Sequence, residues 1–323
     1  MTQPVSAALS DETTLEAESL DSAAAGTADA IASASGMSPA EQAEQLDWQY
    51  ERANKSEGIF ALIPYTIGCV AELRNVKFAL ASFVVNNLRR RYRRSVLGFA
   101  WSLLNPLLTM TVMTAVFSLL WHADPRQFGV YVFTGLLPWT FITDSITNGS
   151  LALVQSEAFL KKVYIPKAFF PLVYVSTEAA NFVFSLVSLV ILATLVGLQL
   201  HWTLLLVPFA TALLFLFNFS VTLFLAISTV YFRDLSHIIK VGLSTLFYTV
   251  PIVYKLEMVP QEYRALFLLN PIYYFVQLFR DLILDGRMPG VMEWSIPSLI
   301  ALGFAALAFY TLMRTERDLI YRL

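Results

Sequence analysis

Long apolar blocks constrain this chain more than any other feature. A helix needs about 20 residues to cross a bilayer, and each block approaches or exceeds that length. The chain has 323 residues, of which 57% are hydrophobic and 14% charged, whereas soluble proteins are about a quarter charged. We therefore predict an all-α polytopic membrane protein with six transmembrane helices. The predicted spans cover residues 99–121, 128–148, 169–197, 203–230, 237–254 and 294–313.

The N-terminal region has a different composition. Residues 1–46 are rich in Ala, Ser, Thr, Glu and Asp, and no Lys or Arg occurs before Arg52. A segment with so few large apolar groups cannot offset its ordering entropy by burial, so it is predicted to be disordered. We divide the chain into an acidic cytoplasmic tail, residues 1–70, which includes a short amphipathic stretch, and a transmembrane domain, residues 71–323.

Two further segments are predicted to be helical without crossing the membrane. Residues 72–94 combine apolar positions with polar or basic ones and end in an arginine cluster, which is typical of an interfacial helix against anionic headgroups. Residues 256–290 are too apolar for a solvated loop, yet they contain charges and the helix-breaking pair Asn270 and Pro271. Two short re-entrant helices in the outer leaflet, on either side of Pro271, are expected there.

The distribution of basic residues predicts the orientation. About 13 Lys or Arg lie in the segments before the first predicted span and after the second, fourth and sixth spans. About five lie in the segments on the other side of the membrane. The first side is therefore assigned to the cytoplasm, with both termini on it. A multi-pass protein of a bacterial inner membrane is expected.

Five short runs, in their order along the chain, resemble one family. They are RYRRSVLGFAWSLLNPL at Arg91–Leu107, FLKKVYIPK at Phe159–Lys167, FRDL at Phe232–Leu235, PIVY at Pro251–Tyr254 and LNP at Leu269–Pro271. The combination is similar to ABC-2 type permeases of the polysaccharide exporters for O-antigen, capsule and teichoic acid. The likeness covers about residues 70–323.

The resemblance implies a homodimer that works with two copies of an ABC ATPase and exports a lipid-linked glycan. ATP and Mg²⁺ would then bind the ATPase, because no glycine in this chain is followed by lysine and a G-x-x-x-x-G-K-[ST] loop is absent. We expect this chain to bind no cofactor, metal or nucleic acid and to catalyse no reaction. His122, His201 and His237 have no metal-ligand spacing.

The cytoplasmic segment Glu157–Lys167 is our candidate for coupling to the ATPase, and the alternative is that it serves only as a positive-inside topology signal. Arg233 and Asp234 either cap a helix and pair with a neighbour, or contact the ATPase. The predicted coupling residues are Glu157, Phe159, Leu160, Lys161, Lys162, Tyr164, Arg233 and Asp234.

The arginine cluster has three interpretations: a topology signal, a lipid anchor, or a docking site for a substrate pyrophosphate, since guanidinium groups match phosphate geometry. Its members are Arg89, Arg90, Arg91, Arg93 and Arg94.

Aromatic residues make up 14% of the chain. Sugar rings stack on aromatic faces, so some of these residues are expected to line a glycan channel, although an interfacial belt or helix packing explains any single one. The candidates are Tyr131, Phe133, Trp139, Tyr174, Tyr248, Tyr254, Tyr273 and Tyr274.

Two acids, Asp144 and Glu178, lie in or near predicted spans and are functional candidates for that reason. With no basic partner expected nearby, they argue against a proton-coupled transporter. A rival function is an integral membrane glycosyl- or acyltransferase, and a second is an ABC-2 exporter of drugs or small lipids.

Overall fold

The computed structural model describes residues 62–92, 100–122, 124–162, 165–195, 197 and 201–323. Within these ranges the chain is helical and holds no strand, as the apolar blocks predict. The α-helices are α1 (Leu62–Asn75), α2 (Lys77–Tyr92), α3 (Ala100–Trp121), α4 (Pro125–Gly149), α5 (Ala152–Gln155), α6 (Glu157–Lys162), α7 (Phe169–Leu195), α8 (Val207–Tyr231), α9 (Leu235–Leu246), α10 (Gln261–Leu268), α11 (Pro271–Ile283) and α12 (Val291–Arg322). Three 3₁₀ turns cover Trp202–Leu206, Phe247–Thr249 and Leu256–Met258.

Three of the described helical segments are long and apolar enough to cross a membrane. They are Phe169–Leu195, Trp202–Tyr231 and Val291–Glu316, and they correspond to the third, fourth and sixth predicted spans. Helices α3 and α4 have 22 and 25 residues and lie where the first two spans are predicted. The protein is therefore a multi-pass membrane protein, and the count of six crossings stays a prediction.

The fifth predicted span is shorter than expected. Helix α9 has 12 residues, or about 18 Å at 1.5 Å per residue, which is too short for a hydrocarbon core of about 30 Å. Proline lacks an N–H and forces the preceding residue out of the helical region. Val250, before Pro251, accordingly has φ −101° and ψ 124°, so a continuous helix over 237–254 is wrong.

The predicted interfacial helix is also divided. Helix α1 begins at Leu62 and α2 begins at Lys77, so a break at Val76 interrupts the predicted helix of residues 72–94. Pro64 lies in the first turn of α1, where helix N–H groups lack intrahelical partners in any case. Helix α1 therefore runs through the boundary that we place at residue 70.

Helix α4 occupies the centre of the bundle and packs against α3, α7, α8 and α11, while α12 packs along α8. Aromatic contacts fix α11 among its neighbours: Phe275 lies 4.7 Å from Phe217 of α8, and Phe279 lies 5.5 Å from Phe182 of α7, between ring centroids. Phe275 and Phe279 are fully buried. Helix α11 is thus an integral part of the core, although it is only 13 residues long.

The two helices on either side of Pro271 are α10 and α11. The Asn270 side chain caps α11 by accepting from the Ile272 N–H at 3.0 Å, and its amide donates to Thr249 Oγ1 at 2.8 Å. One asparagine therefore joins the start of α11 to the turn that ends α9. Their location in an outer leaflet stays a prediction.

The two predicted sides of the protein correspond to two ends of the bundle. At one end, which we call the basic end, Tyr65 donates to Glu316 at 2.6 Å, Lys167 lies 3.7 Å from the same carboxylate, and Arg322 lies over the Tyr231 ring. These contacts gather the segments that carry most of the Lys and Arg.

At the opposite end, Thr203 donates to the Leu282 carbonyl at 2.7 Å, and Gly286, with φ +60°, lies directly against the ring of His201. We call this end the pocket end. Each end of the bundle contains segments from only one of the two predicted sides. Successive long helices therefore run in opposite directions between the two ends, as loops that alternate between the sides require.

Candidate functional site

The predicted coupling segment forms a short helix at the basic end. Glu157 and Lys161 form an i,i+4 ion pair at 2.5 Å, with 36% and 47% of their side chains exposed. Exposed pairs of this kind contribute little to stability, so both charges remain available to a partner. Tyr164 lies outside the described residues, as does the side chain of Lys162.

The inner face of α6 is anchored by aromatic residues. Phe83 of α2 lies 6.0 Å from Phe159, 5.5 Å from Phe169 and 6.0 Å from Phe170, between ring centroids. We call these four residues the phenylalanine cluster. Leu160 is buried beside it. The cluster joins α2, α6 and α7, and the sequence analysis missed Phe83 because nothing local distinguishes it from other apolar residues of α2.

The two acids within the bundle have a basic partner. Arg91 donates to both oxygens of Glu178 at 2.8 Å and lies 4.0 Å from Asp144. The amides of Asn148 and Asn181 also donate to Glu178, at 3.2 and 3.0 Å. The expectation that these acids lack a basic partner is therefore wrong. The C-terminal end of α2 reaches α4 and α7, a contact across 87 residues of sequence.

The remaining arginines of the cluster are placed differently. Arg89 and Arg90 are exposed on α2, and Arg93 and Arg94 lie outside the described residues. One guanidinium thus fixes α2 to the bundle, and its two neighbours on the helix face outward.

Arg233 and Asp234 lie exposed in the turn between α8 and α9. Asp234 occupies the N-cap position of α9, but its side chain makes no capping hydrogen bond. A capping role for the pair at the end of the fourth span stays a prediction, and both charges are accessible at the surface.

An open groove separates α4 from α9. It encloses about 440 Å³ and combines rings, hydroxyls and one ammonium group. Phe247 packs edge-on against Trp139 at 5.5 Å, and 74% of Tyr248 is exposed. We call this the α4–α9 groove, and two predicted channel aromatics, Trp139 and Tyr248, line it. The full lining is Trp139, Thr143, Thr147, Lys240, Leu243, Ser244, Phe247 and Tyr248.

A second cavity, of about 460 Å³, lies at the pocket end between α4, α11, the 251–257 segment and the start of α12. We call it the arginine pocket. Three predicted channel aromatics, Tyr131, Tyr273 and Tyr274, line it together with charged residues that the sequence analysis did not select. Those charged residues are Lys255, Glu257, Arg280, Asp281, Asp285, Arg287 and Glu293.

Arg280 is a nearly buried cation of the pocket, with 4% of its surface exposed. Its guanidinium lies over the Tyr131 ring, 3.9 Å from the centroid, and donates to the Ile252 carbonyl at 2.8 Å. Burial lowers its pKa. A Cβ on Gly135 would lie 2.8 Å from Arg280 Nη2, so glycine makes the space that the guanidinium occupies.

Asp281 is fully buried next to it and accepts from Gln277 at 2.8 Å and from Arg287 Nε at 3.0 Å. Burial raises the pKa of Asp281, and the hydrogen bonds from Arg287 and Gln277 oppose that shift. Arg287 also contacts Glu293 at 2.7 Å while half of its side chain stays exposed. A buried acid thus holds an accessible guanidinium at the pocket wall.

The remaining predicted aromatics lie elsewhere. Phe133 is fully buried inside the protomer, and Tyr174 donates to Gln155 at the basic end. Tyr254 connects the two cavities, because its carbonyl accepts from Tyr131 at 2.9 Å and its hydroxyl donates to the Tyr248 carbonyl at 2.6 Å.

No group of three or more His, Cys, Asp or Glu among the described residues could hold a metal ion. The candidate sites are instead the α4–α9 groove, the arginine pocket and the exposed charges at the basic end.

Comparison with known proteins identifies the family. The model of the ABC-2 type transporter matches residues 79–284, which is more than half of the chain. This chain belongs to the ABC-2 type transporter family. It is a permease subunit that works with an ATPase, and it is not an enzyme.

The permease is similar to O-antigen export permeases and to a polysialic acid transport protein. The chain is 33% identical to the O-antigen export system permease protein RfbA of Myxococcus xanthus over 69% of its own length and 86% of that protein. It is 28% identical to the RfbA protein of Klebsiella pneumoniae, over 65% and 82% of the two chains. It is 22% identical to the polysialic acid transport protein KpsM of Escherichia coli, over 65% and 83%.

Proposed function

We propose that this permease exports a lipid-linked polysaccharide from the cytoplasm across the inner membrane, driven by ATP hydrolysis on two copies of a separate ATPase. The observation that carries the proposal is the 33% identity across 86% of an O-antigen export permease. The two cavities support it, because both combine aromatic rings with polar groups, as ligands made of sugars require.

The orientation follows the positive-inside rule. The basic end faces the cytoplasm, where both termini also lie, and the pocket end faces outward. Six segments cross the membrane, with α9 and its following turn as the fifth, while α10 and α11 stay in the outer leaflet. The short α9 is acceptable there, because the irregular 250–254 segment is buried in protein, where lipid does not reach its backbone.

ATP hydrolysis acts on the permease through α6. Its exposed charges contact the ATPase, and its buried face moves with the phenylalanine cluster. Because that cluster includes Phe83 of α2, and α2 is joined to α4 and α7 by Arg91, a displacement of α6 reaches the membrane-spanning helices through packed side chains. Arg89 and Arg90, which are exposed on α2, bind the pyrophosphate of the lipid carrier.

The polymer passes along the α4–α9 groove. Lys240 and the groove hydroxyls are costly to expose to lipid, so a second copy of the chain covers them and completes a polar path between two protomers. Trp139 and Tyr248 then provide weak stacking sites along which a chain of sugars can move.

The test is deletion of the gene in its native host, followed by measurement of surface polysaccharide with a lectin or antibody. We expect surface glycan to be lost, full-length lipid-linked polymer to accumulate in the cytoplasm, and the wild-type gene to restore export. Unchanged surface glycan together with increased sensitivity to drugs would instead favour a small-molecule exporter.

A further inference from the structure

The arginine pocket is lined by charges of both signs, with one more acid than cations. Three cations, Lys255, Arg280 and Arg287, face four acids, Glu257, Asp281, Asp285 and Glu293. A site for phosphate or for an acidic sugar would carry an excess of positive charge, and a site for an acyl chain would be lined mainly by apolar groups. The mixture of donors and acceptors suits a neutral ligand that carries many hydroxyls.

Two buried side-chain atoms of residues that line the pocket have no hydrogen-bond partner among the described residues. They are Arg280 Nε, a donor, and Asp281 Oδ2, an acceptor, and both are buried. Leaving a buried polar group without a hydrogen-bond partner is unfavourable, so such atoms call for a physical explanation. A ligand hydroxyl can accept from a guanidinium and donate to a carboxylate, whereas an anion or a hydrocarbon can serve only one of these atoms or neither.

The pocket walls provide aromatic surfaces held in fixed positions. Tyr273 and Tyr274 are half-buried and lie edge to face, 5.3 Å apart. The Tyr274 hydroxyl donates to the Leu268 carbonyl at 2.9 Å, which fixes its ring against α10. Arg287, held by Asp281 and Glu293, presents an ordered donor beside them. Fixed rings next to ordered polar groups favour stacking of a pyranose ring with hydrogen bonds to its edge.

The cavity size agrees with such a ligand. At about 460 Å³ it falls within the range of about 300–1,000 Å³ that is typical of pockets for small molecules. It can hold one or two sugar units of a polymer, and it lies at the end of the bundle where the polymer would leave the protein.

We propose that the arginine pocket is a saccharide-binding subsite that holds a neutral sugar unit of the polymer at the outer end of the permease. This inference rests on the proposed function, since it takes the transported substrate to be a polysaccharide. The subsite slows the return of the polymer by binding each emerging segment weakly, and its ligand is a pyranoside and not a lipid headgroup.

The test uses the full-length permease with its ATPase in nanodiscs and saturation-transfer NMR, which detects weak binding. The probes are the methyl pyranosides of glucose, galactose, mannose and rhamnose, each measured separately, with inorganic phosphate and phosphoethanolamine as competitors. We expect transfer to at least one pyranoside, reduced about fivefold or more by Tyr273→Ala, the loss expected when one stacking contact is removed. Neither competitor should reduce that transfer.

Tyr263→Ala is the matched control, because Tyr263 is an exposed tyrosine on α10 that does not line the pocket. It should bind the pyranoside as the wild type does. Absence of transfer to all four pyranosides, equal transfer in Tyr273→Ala, or displacement by phosphoethanolamine would each overturn the subsite. If surface glycan still depends on the gene, any of these results refutes the subsite alone and leaves the proposed export function standing.

Discussion

Cys69 is the single cysteine of the chain and lies on the buried side of α1. Only 8% of its surface is exposed. Burial, followed by the nearby charge of Glu72, raises the pKa of its thiol to about 12. Because the thiolate is the reactive form, we expect a thiol that is both shielded and protonated at neutral pH.

We therefore predict that N-ethylmaleimide labels Cys69 at least about tenfold more slowly in the folded protein than after unfolding in SDS. Raising the pH from 7 to 9 should leave folded labelling slow, since the pKa lies well above both values. The measurement is the mass shift of the intact protein against time. Rapid labelling of the folded protein at pH 7 would show that α1 does not pack against the bundle as described.

Gly149 ends α4 where that helix crosses α8. A Cβ at this position would overlap the Thr222 methyl group and lie 3.5 Å from Tyr174 Cβ. We expect Gly149→Ala to destabilise the protein by about 1–3 kcal/mol, as overpacking of a filled core does. The measurement is the melting midpoint of the detergent-solubilised protein, followed by size-exclusion chromatography.

Gly303→Ala provides the control for this substitution. Gly303 lies in α12, and a Cβ there meets no heavy atom within 4 Å. Alanine should leave the melting midpoint unchanged or raise it, since it favours helix by up to about 1 kcal/mol over glycine. Equal melting midpoints for the two variants would show that helices α4 and α8 pack less closely at Gly149 than the structure shows.

At the scale of the element, the phenylalanine cluster connects the coupling helix to α2. We predict that Phe83→Ala lowers polymer export about fivefold or more, while ATP hydrolysis by the permease–ATPase complex changes less than about twofold. The reason is that α6 still binds the ATPase but no longer moves α2. Export is measured as surface glycan and hydrolysis as phosphate release by the purified complex.

Phe78→Ala, on the same helix, is the matched control, since 69% of Phe78 is exposed and its ring lies outside the cluster. It should export normally. Phe83→Leu keeps most of the buried volume and tests whether an effect of Phe83→Ala reflects misfolding. Normal export by Phe83→Ala would remove the cluster from the coupling route.

The sequence predicts the helical elements better than their limits. Helices α10 and α11 lie on either side of Asn270 and Pro271, because proline ends one helix and starts the next at a position where its missing N–H costs nothing. Pro251 gives the same type of signal and is the reason that α9 and its turn stop at Thr249. The apolar run from Val241 to Tyr254 favours one continuous span, but Pro251 within it ends the helix.

The candidate sites were less predictable, because their contacts join distant parts of the chain. Hydropathy places Asp144 and Glu178 inside the bundle, but no local pattern pairs them with Arg91, 87 residues before Glu178. Arg280 and Asp281 look like the polar side of an external helix, and only the folded structure shows that α11 buries both. Of the predicted channel aromatics, Trp139 and Tyr248 line a cavity, whereas Phe133 is fully buried, and aromatic content alone does not separate the two cases.

At the scale of the whole molecule, the α4–α9 groove is the surface that a single protomer leaves incomplete. Lys240, Thr143, Thr147 and Ser244 line it. Contact of an ammonium group and three hydroxyls with hydrocarbon is unfavourable, so lipid is a poor cover for this face. In the proposed dimer, a twofold-symmetric partner would present the same polar groove to its copy, and the two together would enclose a wet path.

We therefore predict that Ser244→Cys, in a Cys69→Ala background, forms a covalent dimer when membranes are treated with a flexible bis-maleimide. Ser244 is exposed and lines the groove, so its copies face each other across the symmetry axis. Leu299→Cys is the control, because Leu299 is 68% exposed on α12, a helix that packs on α8 and α11 and does not line the groove. A dimer band on SDS gels for Ser244→Cys alone places the groove at the interface. A dimer band for Leu299→Cys alone would place the interface at α12 and leave the groove facing lipid, where its lysine has no favourable surroundings.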